Sequence, residues 1–266
     1  MAPRTARSLR YEYELYLEQE IENYKESIPR AAILAIGDEA AARLASEPQF
    51  VLTELLLLEE VDRIIFRRLR LPTYNTWRRK RLKLHAELRR PEHWGLSAND
   101  VVVRTIGNAS EIAAGNHVLL AGEPAQRSVL FLAANGCDVT ALQPEVDTLR
   151  RVMEAAQEAG LAERVHPVAT ELGQWIPDGP LHAVVCSHAA LSNLPAHERA
   201  RVIALLQCAT LDGGVHLVET IAAGSRAIEE LRATYRGWEI SVERTPENAQ
   251  VFLARKEQPS ASSVSH

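Results

Sequence analysis

The sequence predicts an α/β fold, a doubly wound and mostly parallel sheet of seven strands preceded by an all-helical N-terminal extension. Beyond Asp100, short apolar runs alternate with amphipathic segments, which is the pattern of strand–helix–strand units. Before about Pro91, hydrophobic residues recur at helical spacing instead. The 266 residues are 46% hydrophobic and 24% charged, ordinary globular values that exclude a collagen-like or wholly disordered chain and allow a core without disulfides or metal. Cys137, Cys186 and Cys208 are too few and too scattered for a disulfide framework or a paired-cysteine zinc site, so a reducing cytoplasm is expected. Tyr11 to Lys25 alternates acidic and aromatic residues where a signal peptide would be apolar. Val51 to Phe66 carries Glu54, Glu59, Glu60, Asp62 and Arg63, charges that a bilayer span would not hold, so no membrane partner is expected.

In the extension, Tyr13, Leu17, Ile21 and Tyr24 place one apolar stripe on a helix whose remaining surface carries Glu14, Glu18 and Glu22. Pro29 can open a second helix, and Ala31 to Leu44 is alanine-rich. Leu55, Leu58, Val61, Ile65 and Leu69 predict the apolar face of a third, which Pro72 ends. A fourth, Trp77 to Arg90, is strongly basic. The expected strands are His117–Ala121, Asp138–Ala141, Val165–Val168, His182–Ser187, Val215–Thr220, Trp238–Val242 and Gln250–Ala254. Helices are expected at Ser128–Asn135, Glu145–Ala159, Ala196–Cys208 and Arg226–Tyr235, with Gly136 and Gly160 at helix C-termini. The expected domains are a helical extension over 1–96, an α/β domain over 97–256 and a disordered tail over 257–266, too polar and small to bury apolar area.

From Asn116 to Thr220, this order of elements, with the run Leu132-Ala-Ala-Asn-Gly136-Cys-Asp-Val-Thr140 and the turn Leu211-Asp-Gly-Gly214, resembles a class I S-adenosylmethionine-dependent methyltransferase. The resemblance is nearest to the tellurite-resistance and small-molecule branch, and it implies a Rossmann-like sheet with S-adenosylmethionine as cofactor. In that family the first strand leads into a glycine-rich loop that lets the backbone approach the methionine moiety. Here the stretch is Val118-Leu-Leu-Ala-Gly-Glu-Pro-Ala-Gln-Arg127. Only Gly122 keeps its glycine; Leu120 stands where the family has an acidic residue, and Pro124 and Gln126 fill the other two glycine positions. Gln143 occupies the place of the ribose-binding carboxylate, and an amide can still accept one hydrogen bond and donate another without charge assistance. The resemblance further implies that Glu123 meets the methionine ammonium and that Glu171, with Leu172 beside it, stands on the adenine side. Each of these has a plainer reading: Gly122 as a strand-to-helix turn, and Gln143-Pro144-Glu145 as a helix start with a first-turn acid.

His188 follows the fourth strand, on the edge where open α/β sheets place their ligands. It is the candidate catalytic residue, a general base toward a hydroxyl or amine, or else a loop histidine bonded to backbone. Ser192 and Asn193 could touch substrate or simply form a turn. His166, His182, His197 and His216 are scattered, and no metal triad emerges.

Ten of the 30 Lys and Arg residues lie between Arg67 and Arg90, opposed only by Glu87, with Tyr74, Trp77 and Trp94 interleaved or flanking. That composition fits phosphates and stacked bases. The alternative is packing of the basic helix on the acidic one, Tyr11 to Glu26, as a helical cap or dimerisation arm. Three functions stay open: methyl transfer to a small molecule, a catalytically inactive binding or assembly scaffold of the same fold with the helical extension as its interaction surface, and a nucleic-acid binder or modifier using residues 67–90; a homodimer through the N-terminal helices is a further expectation.

Overall fold

Helix propensity and apolar stripes organise the first part of the chain. The computed structural model describes residues 8–45, 54–107, 116–122, 126–222, 226–245 and 249–257. Two compact units divide them, Met1–Leu84 and His85–His266.

The first unit contains α1 (Leu9–Ser27), α2 (Arg30–Ala45), α3 (Glu54–Leu69) and most of α4 (Tyr74–Leu88). Ser8 caps α1 by accepting a hydrogen bond from the Tyr11 backbone N–H, which satisfies one of the free donors of the first turn. Ile21, Ile36, Ala40, Val61, Ile64 and Ile65 form the buried centre, with Leu57 and Leu69 packed against it. The expected face of α3 therefore needs correction, because Leu55 and Leu58 are exposed. Four consecutive leucines suit either face, and the isoleucine pair one turn onward decides which one turns inward. Helix α4 packs on α1 through aromatic rings: Tyr13 lies 5.4 Å from both Tyr74 and Trp77, and its hydroxyl donates to the Pro72 carbonyl at 2.9 Å. Arg81 meets Glu12 at 3.2 Å.

In the second unit, apolar runs build β1 (His117–Ala121), β2 (Asp138–Leu142), β3 (Val165–Val168), β4 (Leu181–Ser187), β5 (Thr210–Ala222), β6 (Trp238–Arg244) and β7 (Ala249–Lys256). Their order is β3-β2-β1-β4-β5-β7-β6. β3, β2, β1, β4 and β5 are mutually parallel, and β7 runs antiparallel between β5 and β6. Helices α5 (Gln126–Ala134), α6 (Val146–Glu158), α7 (His188–Ser192), α8 (Ala196–Ala209) and α9 (Ala227–Thr234) make the crossovers. Side chains alternate across the pleat, so two cores result. Val118, Leu120, Val139, Val185 and Leu217 meet the α5 side, together with Leu96 and Val101 to Val103. Leu119, Ala121, Val184, Cys186 and Val218 meet α7, α8 and α9 on the other side.

This is the doubly wound, seven-stranded and mostly parallel sheet that the sequence predicts. The strands agree in place with their expectation and extend it at their ends, most at β5. The sequence pattern missed α7 and the π-helical Val103–Gly107, both too short to show periodicity. All three cysteines are free; Cys137 and Cys186 are buried and Cys208 is exposed. No described helix is long and apolar enough to cross a membrane. Apart from Glu257, the expected tail lies outside the described residues.

Candidate functional site

The chain leaves β1 toward β2 and β3 on one side, then returns to place β4 on the other. This reversal puts a crevice at the C-terminal tips of β1 and β4. The pairings there define a row. Ala121 pairs with Leu142 and with Cys186, Leu142 pairs with Val168, and Ser187 pairs with Glu219. One residue further, the Gly122 N–H donates to the Leu142 carbonyl at 3.2 Å and the Gln143 N–H to the Val168 carbonyl at 3.1 Å. Gln143, Gly122, Ser187 and Glu219 therefore end four adjacent strands at one level. With neighbouring strands about 4.8 Å apart, the row from Gln143 to Glu219 spans about 14 Å.

Each member has a distinct environment. Gly122 has φ +94°, and a Cβ there would fall 2.1 Å from Ser187 Oγ and 3.0 Å from the Ala190 Cβ. The sequence assigns this glycine to close approach by a ligand; the structure adds that the chain's own β4–α7 turn occupies the space. Ser187 Oγ accepts from the Ala190 N–H at 3.2 Å, which caps α7. Gln143 is 4% exposed, and among the described residues its side-chain amide has no hydrogen-bond partner. His188 opens α7 and is partly buried.

The remaining expected positions are spread out. Leu172 is buried among apolar residues next to β3, whereas Glu171 is exposed. Glu123 and Pro124 lie outside the described residues. Arg127 stands exposed in the first turn of α5, facing the same rim.

Glu219 is the residue that sequence reasoning missed. Its carboxyl makes no hydrogen bond or ion pair among the described residues. Burial pushes it up to about 7, the Asp100 carboxylate adds to the rise, and Arg127 opposes it. The backbone is irregular at the same point: the β5–β7 register shifts between Val218 and Ile221, and Thr220 sits at φ +58°, with its hydroxyl donating to the Glu219 carbonyl at 2.7 Å. Bulges and left-handed non-glycine residues re-aim side chains and concentrate at functional sites. The available signal was an acid closing the buried run Val215-His-Leu-Val218. Asp100 is held by its own helix start, where its Oδ1 accepts from the Val102 N–H at 2.9 Å. Arg104 in the next turn pairs with Glu243 near the end of β6.

His216, His117 and His182 hold other parts of the sheet, whereas His166 and His197 are exposed. His216 Nε2 lies 2.7 Å from Thr210 Oγ1 and Nδ1 lies 2.8 Å from the Tyr235 hydroxyl. Because Thr210 Oγ1 donates to the Leu206 carbonyl, it accepts from His216, and Tyr235 donates to the other ring nitrogen. Burial, with Lys256 nearby, lowers His216 to about 3. His117 contacts Thr140 Oγ1 at 2.7 Å, and its N–H donates to His182 Nδ1 at 3.1 Å, both at the opposite rim of the sheet. Among the described residues no cluster suits a metal ion.

The fold is the one implied by the class I methyltransferase resemblance. No family model matches the sequence, and no curated protein matches it. Solved structures do. An O-methyltransferase family 2 protein from Planctomyces limnophilus, crystallised with apigenin, is 15% identical over 55% of this chain and 52% of that one, with a TM-score of 0.45. TehB from Haemophilus influenzae is 19% identical over 59% of this chain and 61% of its own, with a TM-score of 0.46. The glycopeptide N-methyltransferase MtfA, in complex with S-adenosyl-L-homocysteine, is 13% identical over 61% of this chain and 91% of its own, with a TM-score of 0.49. This chain thus spans little more than half the length of the first two.

Proposed function

We propose that the chain binds S-adenosylmethionine across the tips of β1 and β2 and transfers its methyl group to a small molecule. The observation that carries this reading is Gln143, 4% exposed at the rim, whose amide bonds no described residue. An amide placed there is available to a ligand that both donates and accepts, as a ribose diol does. Gly122 shapes the neighbouring wall, because the absence of its Cβ lets the β4–α7 turn close against the tip of β1. Leu172 offers an apolar wall on the β3 side, and Glu171 stands at its outer edge.

S-adenosylmethionine supplies a methyl group on a sulfonium, open to in-line displacement. What the chain contributes is position. Gln143 fixes the nucleoside end and Ser187 holds the β4–α7 turn against Gly122. His188 and Glu219 stand along the row on the side where an acceptor would approach. Orientation of this kind accelerates a displacement without further chemistry.

Calorimetry with S-adenosylmethionine and S-adenosylhomocysteine tests the reading. Gln143→Leu is expected to abolish binding, and Gln143→Asp to tighten it about tenfold by restoring a charge-assisted bond. Neither heat nor a thermal shift at millimolar ligand would favour the inactive scaffold instead.

A second reading concerns α4. Arg78, Arg79, Lys80 and Lys83 are exposed and make no ion pair among the described residues; only Arg81 reaches α1. Such a face suits a polyanion, and retention on RNA or DNA that falls steeply with salt and is lost on reversing Arg78, Arg79 and Lys80 would support it.

A further inference from the structure

Glu219 is anomalous for a half-buried carboxyl at the end of an apolar strand. A carboxyl at the end of a mostly buried strand normally finds a cation or several N–H donors, because an ionised carboxylate without them is costly to desolvate. Glu219 finds neither among the described residues. The groups that face it are Asp100 from the helix start at 101, Arg127 from α5 and the Cys186 thiol from β4. Asp100 repels it, and Arg127 attracts it without reaching ion-pair distance. Cys186 is itself driven up to about 12, by burial and then by Glu219. The bulge in β5 and the left-handed Thr220 fall at this point of the rim, where Glu219 is half-buried. The row also sets its distance. Glu219 stands two strands from Gly122, about 10 Å away, and on the side opposite Gln143. A nucleoside seated at Gln143 and running along the row would bring its sulfur-borne methyl group toward Glu219.

We propose that Glu219 is the catalytic residue on the acceptor side, a carboxylate that pairs with an amine substrate and takes its proton. This rests on the cofactor reading above. The substrate ammonium first gives one proton to the Glu219 carboxylate; the freed lone pair attacks the methyl carbon, the carbon–nitrogen bond forms as the carbon–sulfur bond breaks, and the electron pair stays on sulfur as a thioether. The product leaves as a methylammonium, and Glu219 loses its proton to solvent. An amine is the class favoured because a half-buried carboxylate without a partner is stabilised by a cation and repels an anionic acceptor. A group poised near neutrality is also well matched to proton transfer at physiological pH.

The test does not need the acceptor. Carbon-13 NMR of labelled glutamate carboxyls follows Glu219 through its titration in the complexes with S-adenosylhomocysteine and with S-adenosylmethionine, which differ in the sulfonium charge. The expected result is a resonance titrating near pH 7 in the first complex and about one pH unit lower in the second, since a nearby cation favours the carboxylate. Glu219→Gln and Glu219→Asp each remove that titrating glutamate resonance, so assignment survives if either variant fails to fold. Propylammonium chloride added to the S-adenosylhomocysteine complex lowers the midpoint, whereas sodium chloride at equal ionic strength does not. Equal midpoints in the two complexes would overturn the placement of Glu219 while leaving the cofactor site intact. A sulfonium response without a propylammonium response would overturn the amine class. Binding of neither nucleoside would remove the cofactor reading, and the proton-acceptor role with it.

Discussion

A missing Cβ decides much about this rim. Any side chain at Gly122 meets Ser187 Oγ at 2.1 Å and must also adopt φ +94°, so Gly122→Ala is expected to cost on the order of 3 kcal/mol in urea unfolding. Adding Ser187→Ala should recover part of the loss, because it removes the closer obstacle but not the backbone strain. Glu219 acts on stability in the opposite sense to a salt-bridged acid. Its folded value is raised to about 7 from 4.5, so the folded state holds a proton that the unfolded state has lost, and stability falls as pH rises across that interval. Glu219→Gln should therefore raise the melting temperature at pH 8, by an amount worth about 2–3 kcal/mol, and change little at pH 4. A variant equally stable, relative to the parent, at both pH values would contradict this. Gln143 was singled out in the sequence because it stands where the resemblance places a ribose-binding carboxylate. Glu219 was not, because its meaning comes from desolvation and from Asp100, which lies more than a hundred positions away in the chain.

At the scale of elements, periodicity told most. The strands could be located because a sheet covered on both faces demands runs such as Val118-Leu-Leu-Ala121 and Ala183-Val-Val-Cys186. What could not be read was choice among equivalent apolar faces. Leu55 and Leu58 have the right spacing for burial in α3, yet tertiary packing selects Val61, Ile64 and Ile65. The π-helical turn at Val103–Gly107 and the five-residue α7 carry too few residues for a period. β5 shows a further hidden feature, the chain of hydrogen bonds from Tyr235 through His216 and Thr210 to the Leu206 carbonyl. Its histidine is lowered to about 3 from 6.5, so the neutral ring stabilises the fold above pH 6.5 and that contribution is lost as pH falls toward 3. His216→Leu leaves the buried Tyr235 hydroxyl without its acceptor. We expect a loss of about 2–4 kcal/mol at pH 7 and a shallower acid limb in the pH–stability curve.

For the molecule as a whole, these two groups oppose one another. Between about pH 4.5 and 6.5, the folded chain holds one proton more at Glu219 and one fewer at His216, so their slopes cancel. Glu219→Gln should expose the histidine slope in this window, seen as stability that climbs more steeply with pH than the parent's. The second unit, from His85 onward, contains both faces of the sheet and both of its apolar layers. A fragment beginning at His85 is therefore expected to unfold cooperatively by circular dichroism, and a broad, non-cooperative transition would argue against that. The net charge of −5 conceals a basic stretch from 67 to 90, which composition revealed; that α4 leaves most of those cations facing solvent was visible only once α1 was seen to engage a single one.

The cysteines give the molecule an internal reporter. Cys186 lies under the strand tips and Cys137 behind β2, with burial holding both thiols at about 12 and about 11, so neither offers a nucleophilic thiolate to an alkylating reagent. Cys208 alone faces outward on α8. Iodoacetamide should thus count one sulfur per native chain and three per unfolded chain, and the rate at which the second and third are modified would clock the opening of the sheet beneath the rim.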